Sequence, residues 1–146
     1  MMSKKIKRYV LENEAFNDFE FIGICTAQND YRLAWQLNTQ LDIFLEKSDD
    51  FIEIPIKKTN ELTQFNFYFY KDLQNLISYF LIRNKQDGRL LLSEKPSIDY
   101  FLVMQDNYII EPNEMIENLR KMDSVIAVFG FSSNEFALSE YLIFEK

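Results

Sequence analysis

Two short polar clusters contain the side chains that are best suited to chemistry. The first is Asp30-Tyr31-Arg32, which follows an apolar segment and begins a helical pattern. Because a helix N-terminus presents free backbone N–H groups, an anion could bind there, and Arg32 could add a bidentate contact. The same residues also fit a plain helix cap beside a solvated arginine, which is the simpler interpretation.

The second cluster consists of Glu94, Asp99 and Tyr100. Asp99 stands in an otherwise apolar segment, so we expect its carboxylate to be at least partly buried. A buried carboxylate requires a donor, and Arg32 or the backbone N–H groups near Asp30 are the expected ones. A structural ion pair is the simpler interpretation of this cluster, and a binding or catalytic carboxylate is the alternative.

The residue types that are missing narrow the classes of function. The chain has no histidine, one cysteine and three isolated glycines. Without histidine there is no Ser-His-Asp or Cys-His arrangement, and one cysteine cannot complete a tetrahedral zinc site. Three isolated glycines form neither a dinucleotide fingerprint nor a phosphate loop. We therefore expect no cofactor, no metal site and no catalytic residue, and an enzyme is the less favoured class.

The single cysteine, Cys25, lies in an apolar segment with no cation beside it in the sequence. This setting favours a buried, unreactive thiol over a nucleophile. An internal disulfide is impossible with one cysteine, which is typical of a reducing compartment. No apolar run has the length of a signal peptide or of a membrane span. We expect a cytoplasmic protein that does not bind membranes.

The charge and the aromatic content indicate which partners are plausible. A net charge of −7 repels phosphate, so we expect no nucleic-acid partner. The chain has 14 Phe and 8 Tyr. Within residues 65–70, three phenylalanines alternate with Asn66, Tyr68 and Tyr70. Without interleaved Lys or Arg, this stripe favours a core or an interface over base stacking. Strands this aromatic are expected to leave an apolar face or edge uncovered, which predicts a homodimer.

Hydrophobic periodicity supplies the elements that must position these residues. Strands are predicted over 19–26, 51–57, 65–70, 76–83, 98–105 and 125–131, with a further strand at 6–11 and an ambiguous tail at 133–146. Helices are predicted over 31–41 and from Pro112 onward, with a turn at 85–89. The order predicts an α+β fold: a mostly antiparallel sheet of five to seven strands with two or three helices packed on it. Residues 1–146 form one domain, with 1–18 as a partly flexible N-terminal segment.

The second polar cluster also carries a family resemblance. Residues 92–100 read Leu-Ser-Glu-Lys-Pro-Ser-Ile-Asp-Tyr and resemble the motif Ile-Pro-Glu-x-x-x-Val-Asp-Tyr. That motif names a bacterial family, the IPExxxVDY proteins of the Bacteroidota. Glu94, Asp99 and Tyr100 match it, whereas Ser93 stands where the family has proline. The resemblance extends over about 19–144 and implies a small cytoplasmic bacterial protein, without implying a particular reaction, cofactor or substrate.

Two hypotheses of function follow. The favoured one is a non-enzymatic protein-interaction or regulatory module, because the predicted sheet is rich in aromatics and catalytic equipment is missing. The alternative is a small-molecule or anionic-ligand binder, or a weak enzyme, that uses Arg32 with Glu94 and Asp99. A closed apolar cavity at these residues would favour the alternative, and a broad apolar patch would favour the first.

Overall fold

The computed structural model describes residues 19–55, 62–86, 88–91 and 95–132. The expectations for the N-terminal segment 1–18, for the strand at 6–11 and for the tail 133–146 lie outside these residues, and so does Glu94.

Within this part of the chain the elements follow the predicted alternation closely. They are β1 (Phe19–Thr26), α1 (Asp30–Leu41), β2 (Glu46–Lys47), β3 (Ile52–Pro55), β4 (Leu62–Phe65), β5 (Phe67–Asp72), β6 (Ile77–Arg83), β7 (Lys85–Gln86), β8 (Arg89–Leu90), β9 (Tyr100–Gln105), α2 (Pro112–Arg120) and β10 (Val125–Ser132). The α+β class with a mostly antiparallel sheet is confirmed.

The main sheet has six strands in the order β10-β1-β9-β6-β5-β2, and every neighbouring pair is antiparallel. Two small hairpins, β3–β4 and β7–β8, stand apart from it. The sequence places a strand–helix–strand unit near each end of the predicted fold, and such a unit can connect parallel neighbouring strands. The two units form no parallel pair among the described strands, because α1 leads to the far edge of the sheet and α2 leads to β10, which returns antiparallel to β1.

The predicted strand at 65–70 is wrong as a single strand. β4 ends at Phe65 and β5 begins at Phe67, because β4 pairs with β3 in a hairpin while β5 pairs with β6 in the main sheet. The predicted alternation nevertheless holds across the break. The phenylalanines of this stretch belong to one core cluster, whereas Tyr68 and Tyr70 pack against the other.

The sheet is covered on both faces. Both helices pack on the first face, where Leu33, Leu37, Ile116 and Leu119 meet the inward side chains of the strands. The β3–β4 hairpin and the segment between β6 and β9 cover the second face. This second cluster contains Phe21, Ile52, Phe65, Phe67, Phe80, Ile82, Leu91, Ile98, Phe101 and Val103. β6 and β9 are therefore buried on both sides, as their two-sided apolar sequences predict.

Local sequence explains how the helices are placed. Asn29 caps α1, since its Oδ1 accepts a hydrogen bond from the Arg32 N–H at 3.1 Å. α2 begins with Pro112 in its first turn, as predicted, and its apolar stripe contacts β10 at Gly130. A Cβ at Gly130 would lie 2.6 Å from the Cδ1 at the end of the Ile116 side chain, which shows how closely α2 approaches the sheet there.

The reason for expecting a homodimer changes with this fold. The aromatic middle strands are covered within the chain, so they supply no free apolar face. Exposed apolar side chains lie instead on β10, where Ile126 is 76% and Phe129 is 44% exposed. β10 ends the order of the six strands and carries no charged residue, which is the kind of edge that pairs with another chain.

We predict that two copies associate through β10. Light scattering at micromolar concentration should then give twice the 17.5 kDa mass of one chain. Ile126→Lys should return the mass to that of one chain, because a lysine on the edge opposes strand pairing. A wild-type mass of one chain would contradict this prediction.

Candidate functional site

A cleft opens at the end of the sheet where β1 and β6 finish and β9 begins. These ends meet because β9 runs antiparallel to both neighbours. The cleft has a volume of about 430 Å³ and is lined by Thr26, Ala27, Gln28, Arg83, Lys85, Gly88, Leu90, Pro96, Ile98, Asp99 and Tyr100. Two of the motif residues, Asp99 and Tyr100, thus reach one open, largely polar site.

Asp99 differs from its expected setting. Asp99 is exposed and directly precedes β9. Its Oδ2 accepts a hydrogen bond from the Thr26 N–H at 2.9 Å. The expected burial and the expected donors, Arg32 or N–H groups near Asp30, are therefore wrong. The physical reason is that the Asp99 N–H bonds the Ile24 carbonyl at 3.1 Å, which places the carboxylate beside the end of β1.

Tyr100 lies on the helical face of the sheet and is buried. Its hydroxyl donates to the Gln28 carbonyl at 2.8 Å and so holds the connection that leads into α1. Burial raises the pKa of the Tyr100 phenol, the positive charge of Arg83 opposes that rise, and the negative charges of Asp30 and Asp99 add to it. Asp30 and Asp99, one from each sequence cluster, therefore both lie close enough to act on the Tyr100 phenol.

Tyr31 and Arg32 do not join this group. Both are exposed on α1, because the buried face of the helix is formed by Leu33, Ala34 and Leu37. The cations of the cleft are instead Arg83 and Lys85, which sequence reasoning missed. Their signal was a polar interruption, Arg83-Asn84-Lys85, directly after a strand that is apolar on both faces.

Asn84 is the polar side chain that organises the wall of the cleft. It is fully buried, and its Nδ2 donates to the carbonyls of Lys95 at 2.9 Å and of Ile98 at 2.8 Å. Its backbone N–H donates to the Asp99 carbonyl at 2.9 Å, and its own carbonyl accepts from Leu91 at 2.6 Å. Asn84 thus ties together the start and the end of the segment between β6 and β9, which we call the β6–β9 excursion.

Thr26 stabilises the opposite wall of the cleft. Its hydroxyl donates to the Ser124 carbonyl at 2.7 Å and accepts from the Gln28 N–H at 3.2 Å. The N–H of Thr26 is the donor that holds Asp99. The backbone on both sides of the cleft is therefore set by buried or half-buried hydrogen bonds.

Cys25 lies next to this site and is half-buried, so the expectation of a buried thiol is wrong. Its Sγ contacts the Ser97 carbonyl at 3.4 Å. Burial raises the pKa of the Cys25 thiol, and the negative charge of Asp99 raises it further, although a hydrogen bond from the Asp99 backbone opposes this. A raised pKa lowers the thiolate fraction, which supports the expectation of an unreactive thiol.

A second exposed feature lies on the outward face of α1. Tyr31 is 62% and Trp35 is 67% exposed, one helical turn apart. Trp35 borders a shallow groove of about 340 Å³ between α1 and the turn that follows α2. Hydrogen bonds hold the two sides of the groove together: Ser124 Oγ donates to Gln36 Oε1, and Gln40 Nε2 donates to Asn118 Oδ1, both at 2.6 Å.

Comparisons with known proteins do not assign the chain to a family. No family model matches the chain, and no curated protein is significantly similar to it. The resemblance to the IPExxxVDY family therefore stays a prediction. In the part of the chain that the structure describes, no helix has the length and apolarity of a membrane span, and no group of three acidic or cysteine side chains converges as metal ligands would.

The first prediction from this site concerns Asn84. Asn84→Ala should lower the free energy of unfolding by about 2–4 kcal/mol, because two buried carbonyls lose their donor. Asn75→Ala is the matched control: Asn75 is exposed, its Nδ2 bonds Asp72, and its loss should stay within about 0.5 kcal/mol. Urea denaturation measures both variants, and equal midpoints would refute the organising role of Asn84.

The second prediction concerns Cys25 and the charge of Asp99. Asp99→Asn keeps an acceptor oxygen for Thr26 but removes the charge that raises the thiol pKa. The thiolate fraction at pH 8 should increase, so iodoacetamide should alkylate the native variant faster than the wild type. Asp49→Asn removes the same charge after the edge strand β2, which three strands separate from β1, and should leave the rate unchanged. An unchanged rate for Asp99→Asn would exclude this coupling.

Proposed function

We propose that this protein is a non-enzymatic interaction module that binds a protein partner through the outward face of α1. The observation that carries the proposal is the exposure of Tyr31, Arg32 and Trp35 together on that face. Tyr, Trp and Arg are the three residue types most enriched in the energetic centres of protein interfaces. Trp35 is also the only tryptophan of the chain, and most of its surface is exposed.

The groove beside Trp35 supports a docking role. A flat aromatic side chain at the rim of a groove gives a partner a large contact area at low cost in conformational entropy. The polar contacts between Gln36 and Ser124 and between Gln40 and Asn118 keep the two sides of the groove in place. Binding would therefore require little rearrangement of this surface.

Charge defines the kind of partner. The exposed side chains of α1 are Tyr31, Arg32, Trp35 and Thr39, of which none is acidic. Arg32 forms no ion pair with any residue in the described ranges. The matching surface would offer an apolar pocket for the indole and a carboxylate for Arg32. The exposed side chains of α1 supply no such carboxylate, although Asp123 borders the groove, so we propose a different protein as the partner, in the cytoplasm as the sequence favours.

A photo-crosslinking residue at Thr39, in the cells that make the protein, tests this proposal. We expect a crosslinked species of one defined mass that disappears with Trp35→Ala and with Arg32→Glu. Tyr108→Ala removes an equally exposed aromatic side chain outside α1 and should leave the species intact. Both α1 variants should keep the wild-type urea midpoint to within about 0.5 kcal/mol, since both side chains are exposed.

Two results would overturn the proposal. One is a crosslinked species that persists in both α1 variants, because the contact would then not depend on this face. The other is the absence of any species that depends on Trp35. A species with twice the mass of the chain would show self-association through α1 instead of binding to a different protein.

A further inference from the structure

The cleft at the end of the sheet combines two cations with one carboxylate. Arg83, Lys85 and Asp99 all line it, and Arg83 and Lys85 are exposed. Neither cation forms an ion pair within the described ranges. In a chain with a net charge of −7, two cations without a salt bridge in one cleft form a local site of opposite sign.

The buried side chain of Asn84 holds the backbone that carries both cations. Arg83 and Lys85 flank Asn84, whose side chain is buried against the carbonyls of the 95–98 segment. Because side chains alternate along β6, Arg83 lies on the face of the sheet opposite Ile82, whereas Lys85 begins β7 after the bend at Asn84 and lines the same cleft. Arg83 is also directly opposite Tyr100 in the register of β6 and β9, and its charge acts on the Tyr100 phenol.

The carboxylate of Asp99 is a third fixed group. Its Oδ2 bonds the Thr26 N–H, which anchors the side chain at the mouth of the cleft, and a carboxylate can accept further hydrogen bonds. The cleft volume of about 430 Å³ lies in the range of small-molecule sites. The hydrogen bonds of Asn84 and Tyr100 position the surrounding backbone before any ligand arrives.

From this arrangement we infer that the cleft binds an acidic amino acid. Its two carboxylates match the two cations, with Arg83 suited to bidentate contact, and its ammonium group matches Asp99. Among the described residues, the lining of the cleft carries two positive charges and one negative charge, and the ligand carries the reverse. This inference goes beyond the proposed protein interaction, since the cleft and the outward face of α1 share no lining residue.

Calorimetric titration with L-glutamate and L-aspartate tests the inference on the whole chain. We expect saturable binding of at least one of them. Arg83→Gln and Lys85→Gln should each weaken it at least about tenfold, because each removes a charged contact. Lys47→Gln removes one exposed cation on the edge strand β2, which is separated from β6 by β5 and does not line the cleft, and should leave the affinity unchanged.

Glutarate tests the role of Asp99, since it has the same two carboxylates without the ammonium group. The wild type should bind glutarate at least about tenfold more weakly than L-glutamate, and Asp99→Asn should abolish that difference. Urea midpoints of the cleft variants near that of the wild type confirm that the fold is intact.

Three outcomes would overturn the inference. No saturable binding of either amino acid excludes the ligand class. Equal binding of L-glutamate, glutarate and inorganic phosphate by the wild type would identify a plain anion site without a role for Asp99. Binding of L-glutamate that survives Arg83→Gln and Lys85→Gln would place the amino acid elsewhere. Each result is independent of the crosslinking at α1.

Discussion

The side chain of Asn84 is the contact on which the candidate site depends. A buried amide in a protein this rich in apolar residues is stable only when its hydrogen bonds are satisfied. Asn84 meets that condition by donating to the carbonyls of Lys95 and Ile98, which are the two ends of the segment that leads into β9. The chain leaves the sheet after β6 and returns at β9 with Asp99 in a defined place.

The same excursion also completes the core. Ile98 and Leu91, which flank it, are buried in the second cluster against Phe101 and Phe80. Lys95 adds a contact to the edge strand β10, since its Nζ lies 5.0 Å from the centre of the Phe131 ring. Hydrogen bonding by one asparagine and burial of apolar side chains therefore act on the same segment. This is why the polar cleft is placed on a rigid part of the fold.

Coverage of both sheet faces decides where a function could be located. With the helices on one side and the β3–β4 hairpin and the β6–β9 excursion on the other, the central strands have no free surface. The accessible surfaces of the described residues include the end of the sheet, the outward face of α1 and the strand β10. Most of the phenylalanines in the described residues lie in the core, whereas Tyr31 and Trp35 are exposed.

The sequence alone determined the class of fold, the two helices and the longer strands β1, β6, β9 and β10, because these follow from local periodicity. It also determined the alternation of Phe65, Phe67 and Phe69 against Tyr68 and Tyr70, but not the short strands β2, β4, β7 and β8. It also identified Asp99 and Tyr100 as candidate site residues. Tertiary structure alone decided that Thr26 rather than Arg32 holds Asp99, and that Arg83 and Lys85 supply the cations. Such partners are separated by tens of residues in the chain, and only the antiparallel register of β1, β9 and β6 brings their ends together.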